Sequence, residues 1–183
     1  MASVFLGIND RTYTFQFVAG RSEFQGTGFR NPMDMALAPD DVIYVVNRSY
    51  ESRSDGTRIN VFRLGEDGEE YITEFGSYGD GPGQFIWPIS IAVDSDVNVY
   101  VADEWLNRIN VYSQDGEFLR EWGSKGSGDG ELNRPSGLAI AKDGTMFVVD
   151  SLNHRVQRFT LNGEYLDQFG SFGSGPGQLN TPW

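Results

Sequence analysis

The chain holds a single histidine, His154, and no cysteine, which removes thiolate nucleophiles, sulfur-ligated zinc and any histidine-rich metal site within it. His154 lies close to Ser151 and Asp150, which together supply the residue types of a hydrolytic triad. A triad needs residues held on separate elements that converge in space, and three residues in one tight turn cannot align nucleophile, base and orienter. His154 therefore reads as a turn residue that hydrogen-bonds its neighbours. Asp40-Asp41 and Asp94-Ser95-Asp96 offer oxygen atoms of the kind calcium takes, but neither follows EF-hand spacing and such residues are common in turns. Three glycine-rich runs begin at Gly76, Gly123 and Gly170. A phosphate loop needs a following helix whose N-terminal amides face the anion, and each of these runs leads into a proline and a strand instead. No catalytic residue, metal site or cofactor is expected from this inventory.

The elements that position these residues come from a repeat. Phe75-Gly76-Ser77 recurs as Trp122-Gly123-Ser124 and Phe169-Gly170-Ser171, each 47 residues on, and Pro88, Pro135 and Pro182 keep the same spacing. An earlier copy aligns Gly20 with Gly76, Pro32 with Pro88 and Asn47 with Asp103, and at 56 residues it carries an insertion. Within one period four short apolar runs are separated by turn residues: Ser90 to Asp94, Val99 to Ala102, Arg108 to Tyr112 and Phe118 to Trp122. The second run is apolar on both faces in every copy, as a strand covered on both sides must be, whereas the third alternates as a half-exposed strand does. Asp115-Gly116 and Asn162-Gly163 suit two-residue hairpin turns. Asp103 with Arg108, and Asp150 with Arg155, flank the turn between second and third strands and read as hairpin clasps. A four-stranded meander repeated at fixed period predicts an all-β fold, a partial β-propeller of four-stranded antiparallel blades, without helices beyond a single turn.

At this point the residues resemble a named family. Pro-Ser-Gly-Leu-Ala-Ile at 135–140, Phe-Val-Val-Asp at 147–150 and Asn-His-Arg-Val-Gln at 153–157 are similar to the NHL repeat, although the second copy has Leu106-Asn107-Arg108 where the family has Asn-His-Arg. The resemblance covers about residues 20–183 and implies a six-bladed ring, which at 47 residues a blade needs roughly 280 residues. The expectation is a single incomplete propeller domain over 1–183, with about three blades of six. Its parts are a leading strand at 12–18, blade 1 at 33–75, blade 2 at 89–122, blade 3 at 136–169, and at 170–183 the start of a connector to a further blade. NHL propellers serve as protein-binding, RNA-binding and enzymatic domains, so the resemblance bears on architecture more than on function. The repeats also resemble the peptide-amidating lyase, which uses zinc held by histidines. A lyase or lactonase-like hydrolase is accordingly the alternative function, with a site that needs the blades beyond this chain.

Residues shared by the copies serve the blade, and residues that differ are free to serve a ligand. On the face formed by connectors and second-to-third-strand turns, copy 1 carries a longer loop from Arg48 to Thr57, and Arg21 and Arg30 belong to a connector on that face. Trp105 stands where copy 3 has Leu152, and Trp87 where it has Arg134. Arginines and exposed aromatics dominate binding hot spots. The expected ligand-binding set is Arg48, Tyr50, Arg53, Arg21, Arg30, Trp87 and Trp105, and the expected function is a non-catalytic scaffold for a protein, a peptide or a small anionic ligand. Residues 1–63 hold seven arginines against seven acids, while residues 64–183 hold seven basic against 19 acidic residues, so the whole net charge of −12 lies in the later part. That acidity disfavours nucleic acid, whose affinity depends on neutralising phosphates. No run approaches the roughly 20 apolar residues of a membrane helix and no signal peptide is seen, so a soluble, cytoplasmic protein with no membrane partner is expected.

Overall fold

A computed structural model describes residues 5–8, 11–14, 21–22, 28–49, 51–65 and 68–183, with side chains from residue 28 onward apart from 51–53. The fold is all-β, and its body is three four-stranded antiparallel sheets, each in the sequential order of a meander. Blade 1 comprises Pro32–Leu37, Val42–Asn47, Arg58–Gly65 and Gly68–Phe75; blade 2 comprises Pro88–Val93, Val99–Asp103, Arg108–Tyr112 and Phe118–Trp122. Blade 3 comprises Pro135–Ile140, Met146–Asp150, Arg155–Phe159 and Tyr165–Phe169. Each first strand has a register shift just after its proline, a position where a missing N–H donor is tolerated. No helix among the described residues is long and apolar enough to cross a membrane.

Apolar residues are buried between sheets. Tyr44, Val46 and Val61 of blade 1 meet Ile91, Val99, Val101 and Tyr112 of blade 2. On its other side blade 2 presents Tyr100, Ala102 and Val111 to Met146, Val148 and Phe159 of blade 3. Each fully buried Val, Ile, Met or Phe side chain among them is worth about 1.5–3 kcal/mol. The second strand of blade 2 is buried at every position, whereas in blade 3 buried and half-buried residues alternate. Blade 2 lies between two sheets and blade 3 packs against one.

Three local expectations need correction. The third strand is not half-exposed in the way its alternation suggests: its polar position, Asn60, Asn110 or Gln157, is fully buried. These amides turn inward to fasten the connectors, Asn110 Nδ2 donating to Gln84 O at 3.1 Å and Gln157 Nε2 to Glu131 O at 2.6 Å. The Asp115-Gly116 turn is a three-residue loop closed by Ser113 N to Glu117 O at 2.9 Å, with Gly116 at φ 83° and a register shift beside it, which is a glycine bulge rather than a two-residue turn. The insertion of copy 1 contains a 3₁₀ run over Glu51–Gly56, longer than one turn. Ahead of the blades, Arg11–Thr14 pairs with Phe5–Ile8 as a hairpin, and residues 15–18 of the expected leading strand lie outside the described residues.

Candidate functional site

The connectors and the second-to-third-strand turns meet on one face, and buried side chains repeated from blade to blade fix them. Asn47 Oδ1 accepts the amide of Arg30 at 2.8 Å, Asp103 Oδ2 that of Ile86 at 2.7 Å, and Asp150 Oδ1 that of Asn133 at 2.6 Å. Arg58, Arg108 and Arg155 reach the carbonyls of Gly28, Gly81 and Gly128. The two expected clasps differ. Asp150 does pair with Arg155 at 2.8 Å. Arg108 instead pairs with Glu121 at 2.9 Å, because Asp103 is occupied by four amides, those of Ile86, Trp87, Trp105 and Leu106. Burial pushes the Asp103 carboxyl above its usual range, and those four amides oppose the shift.

His154, at φ 55° in its turn, accepts the Thr181 amide on Nδ1 at 2.9 Å and packs on Phe172. Asn107 does the same for Arg134 N at 2.8 Å, so both residues fasten the following connector. In the glycine-rich connectors the amides are satisfied internally: Glu131 Oε2 accepts from Ser127 and Gly128, and Gln84 and Gln178 accept from Gly81 and Gly175. Those amides already have an acceptor and are not presented to an anion. Asp94 takes donors from Asp96 N, Asn98 N, Asn98 Nδ2 and Tyr100 OH at 2.8–2.9 Å. Burial and that last bond push the Tyr100 phenol up to about 12. No group of three or more metal-ligating side chains occurs among the described residues.

One cluster on this face is not part of the repeated frame. Glu104, 5% exposed, joins two blades by accepting Arg48 NH1 on Oε2 at 3.2 Å and Arg134 NH1 on Oε1 at 2.7 Å. Both guanidinium groups lie over Trp87, Arg48 at 4.3 Å and Arg134 at 5.1 Å from the ring centre. Trp105, 51% exposed, packs on Trp87 at 4.8 Å and 60°. Beside it is a cleft of about 220 Å³ lined by Glu104, Trp105, Asn107, Lys125, Asn133 and Arg134. One carboxylate thus fixes two cations on an aromatic face, with each guanidinium using a single nitrogen for the purpose. Arg48, Arg134 and Lys125 against Glu104 and the buried Asp103 still leave a local excess of positive charge in an acidic chain.

Of the expected residues, the structure brings together Arg48, Trp87 and Trp105. Arg30 is engaged beneath the insertion: a Cβ on Gly56 would fall 2.9 Å from its Cγ. Arg21 has a described backbone, in a two-residue strand paired with Gly28–Phe29, but its side chain lies outside the description. Tyr50 and the Arg53 side chain also lie outside the described residues. Glu104, Arg134 and Lys125 escaped the sequence reading. The available signal was that Arg48, Glu104 and Ser151 occupy one repeat position with three unrelated side chains.

Comparison with known proteins agrees with the architecture. Residues 95–168 match a family described as a 6-bladed beta-propeller. No curated protein matches. Among solved structures, a protein of unknown function from Bacteroides thetaiotaomicron is similar at 21% identity and a TM-score of 0.61, over 82% of this chain and 40% of that one. Hydrazine synthase from Kuenenia stuttgartiensis is similar at 16% identity and 0.56, over 82% and 38%. A gluconolactonase from Xanthomonas campestris is similar at 16% and 0.50, over 69% and 37%. The chain therefore spans about two fifths of the length of these structures. At such identities the likeness concerns the fold alone, and with the sheet topology it places the chain among the β-propellers.

Proposed function

We propose that this chain is part of an NHL-type propeller that acts as a non-catalytic scaffold, its connector face holding an anionic ligand in the form of an acidic protein segment or a small anion. The observation that carries this reading is the Arg48–Glu104–Arg134 bridge over Trp87. The bridge joins blade 1 to the connector of blade 3 and stands apart from the residues that repeat with the fold. Its donors are pre-positioned, so little side-chain entropy is lost when an anion arrives, and Arg pairs with carboxylates in bidentate geometry. An overall charge of −12 repels anions in general, which favours their binding where cations are gathered, as they are around Glu104.

The test is a titration of a glutamate-rich peptide into the full chain, repeated with Arg134→Ala and Arg48→Ala. The reading expects binding that weakens with salt and falls by about 1–3 kcal/mol in the variants. Affinity unchanged by both substitutions, or a preference for a lysine-rich peptide, contradicts it.

A further inference from the structure

Resting on that reading, the cleft beside Trp105 narrows the class of ligand. Its volume is about 220 Å³, whereas sites that enclose a whole small molecule run to about 300–1,000 Å³. The space suits one side chain. Asn107 on its wall is already engaged, donating to Trp105 O at 2.7 Å and accepting from Arg134 N at 2.8 Å. The connector amides at Ser127 and Gly128 are held by Glu131 at 3.0 and 2.8 Å and are not offered to an anion. The remaining donors are the guanidinium of Arg134, which gives one nitrogen to Glu104, the exposed ammonium of Lys125 and the side-chain amide of Asn133. Two cations above a buried carboxylate floor leave a net charge of about one, which the single charge of a carboxylate matches better than the nearly double charge of a phosphate. Trp105 leaves a broad apolar surface exposed immediately beside them.

We infer that the ligand of this face is an extended segment of a partner protein, with one aspartate or glutamate entering the cleft between Arg134 and Lys125 and a neighbouring apolar residue covering Trp105. The charged group supplies orientation and the apolar contact most of the affinity, the division seen where aromatic and arginine anchors lie together.

The experiment is selection of phage-displayed random heptapeptides on the full chain. Synthetic versions of the enriched sequence are then measured with Asp or Glu intact, replaced by the amide, and replaced by phosphoserine. Tryptophan indole signals are followed by NMR while acetate, gluconate and inorganic phosphate are titrated in parallel. The inference expects an acidic residue beside Phe, Leu or Trp, about tenfold loss with the amide or with Trp105→Ala, and a smaller loss with Lys125→Ala. A phosphoserine peptide that binds more tightly than the acidic one overturns the carboxylate assignment. Small anions that perturb the indoles while no peptide is enriched overturn the peptide inference and leave the anion reading standing. If no probe perturbs the indoles and nothing is enriched, both fall.

Discussion

The corners of blades 2 and 3 on the connector face share a backbone frame and differ in what fills it. In both, a buried aspartate gathers the connector amides, and a left-handed turn residue, Asn107 or His154, accepts the next connector's N–H. The residue after the aspartate is Glu104 in one corner and Ser151 in the other. Ser151 donates its hydroxyl to the Pro182 carbonyl at 2.7 Å and shares a 2.6 Å bond with Ser136, so that corner is closed on itself. Glu104 instead reaches out to two arginines and leaves an exposed tryptophan and a cleft beside them. The fold needs only the frame, so what blade 2 adds to it requires a different explanation.

Exchanging the residues at this position tests the comparison most severely. Ser151→Glu places a carboxylate at a site that is 3% exposed, where Thr181 stands in place of the pairing Arg134. Removing the partner of a buried charge costs about 3–5 kcal/mol, and a loss of that order is expected on chemical denaturation. Glu104→Ser leaves two guanidinium groups of which both are partly solvated, 23% and 37% exposed. Its expected cost is smaller, about 1–3 kcal/mol, read as a shift in the denaturation midpoint. On the opposite face the same kind of comparison holds between Val97, at φ 61°, and Gly144, at φ 81° in the corresponding turn. A Cβ on Gly144 would have only Leu161 Cδ1 within reach, at 4.0 Å, so Gly144→Val isolates backbone strain and should cost about 1–2 kcal/mol by thermal unfolding. The mildest case is His154. Because Asn107 does the same work, His154→Asn should stay within about 0.5 kcal/mol of the parent, while His154→Ala should lose about 1 kcal/mol with the Thr181 bond.

Much of the frame is legible in the sequence because it is local and repeated. Asp103 and Asp150, the prolines and the apolar second strands recur at a fixed interval, and both aspartates hold the connector, although only Asp150 also clasps the repeated arginine. Asn110 and Gln157 mislead for the same reason: alternation points a polar residue to solvent, yet a connector tens of residues earlier in the chain needs a buried donor. The cluster is less legible. Arg48 meets Glu104 across 56 residues and Arg134 meets it across 30, pairings between different copies that no single-repeat pattern encodes. Trp87 and Trp105 can be singled out because their counterparts differ. Glu104 follows a repeated aspartate, and nothing within its own repeat sets it apart.

Residues that hold the blade are separate from those that would hold a ligand, and Trp105 and Leu152 stand at one repeat position on either side of that division. Its most direct test is to make Trp105→Ala and Leu152→Ala, two exposed residues at one repeat position, and to measure unfolding free energy and acidic-peptide affinity for each. Both variants are expected to remain within about 0.5 kcal/mol of the parent in stability. Only Trp105→Ala is expected to weaken peptide binding, by about 1–3 kcal/mol. Equal effects of the two substitutions on affinity, or a stability loss in Trp105→Ala that accounts for its loss of binding, would contradict the separation.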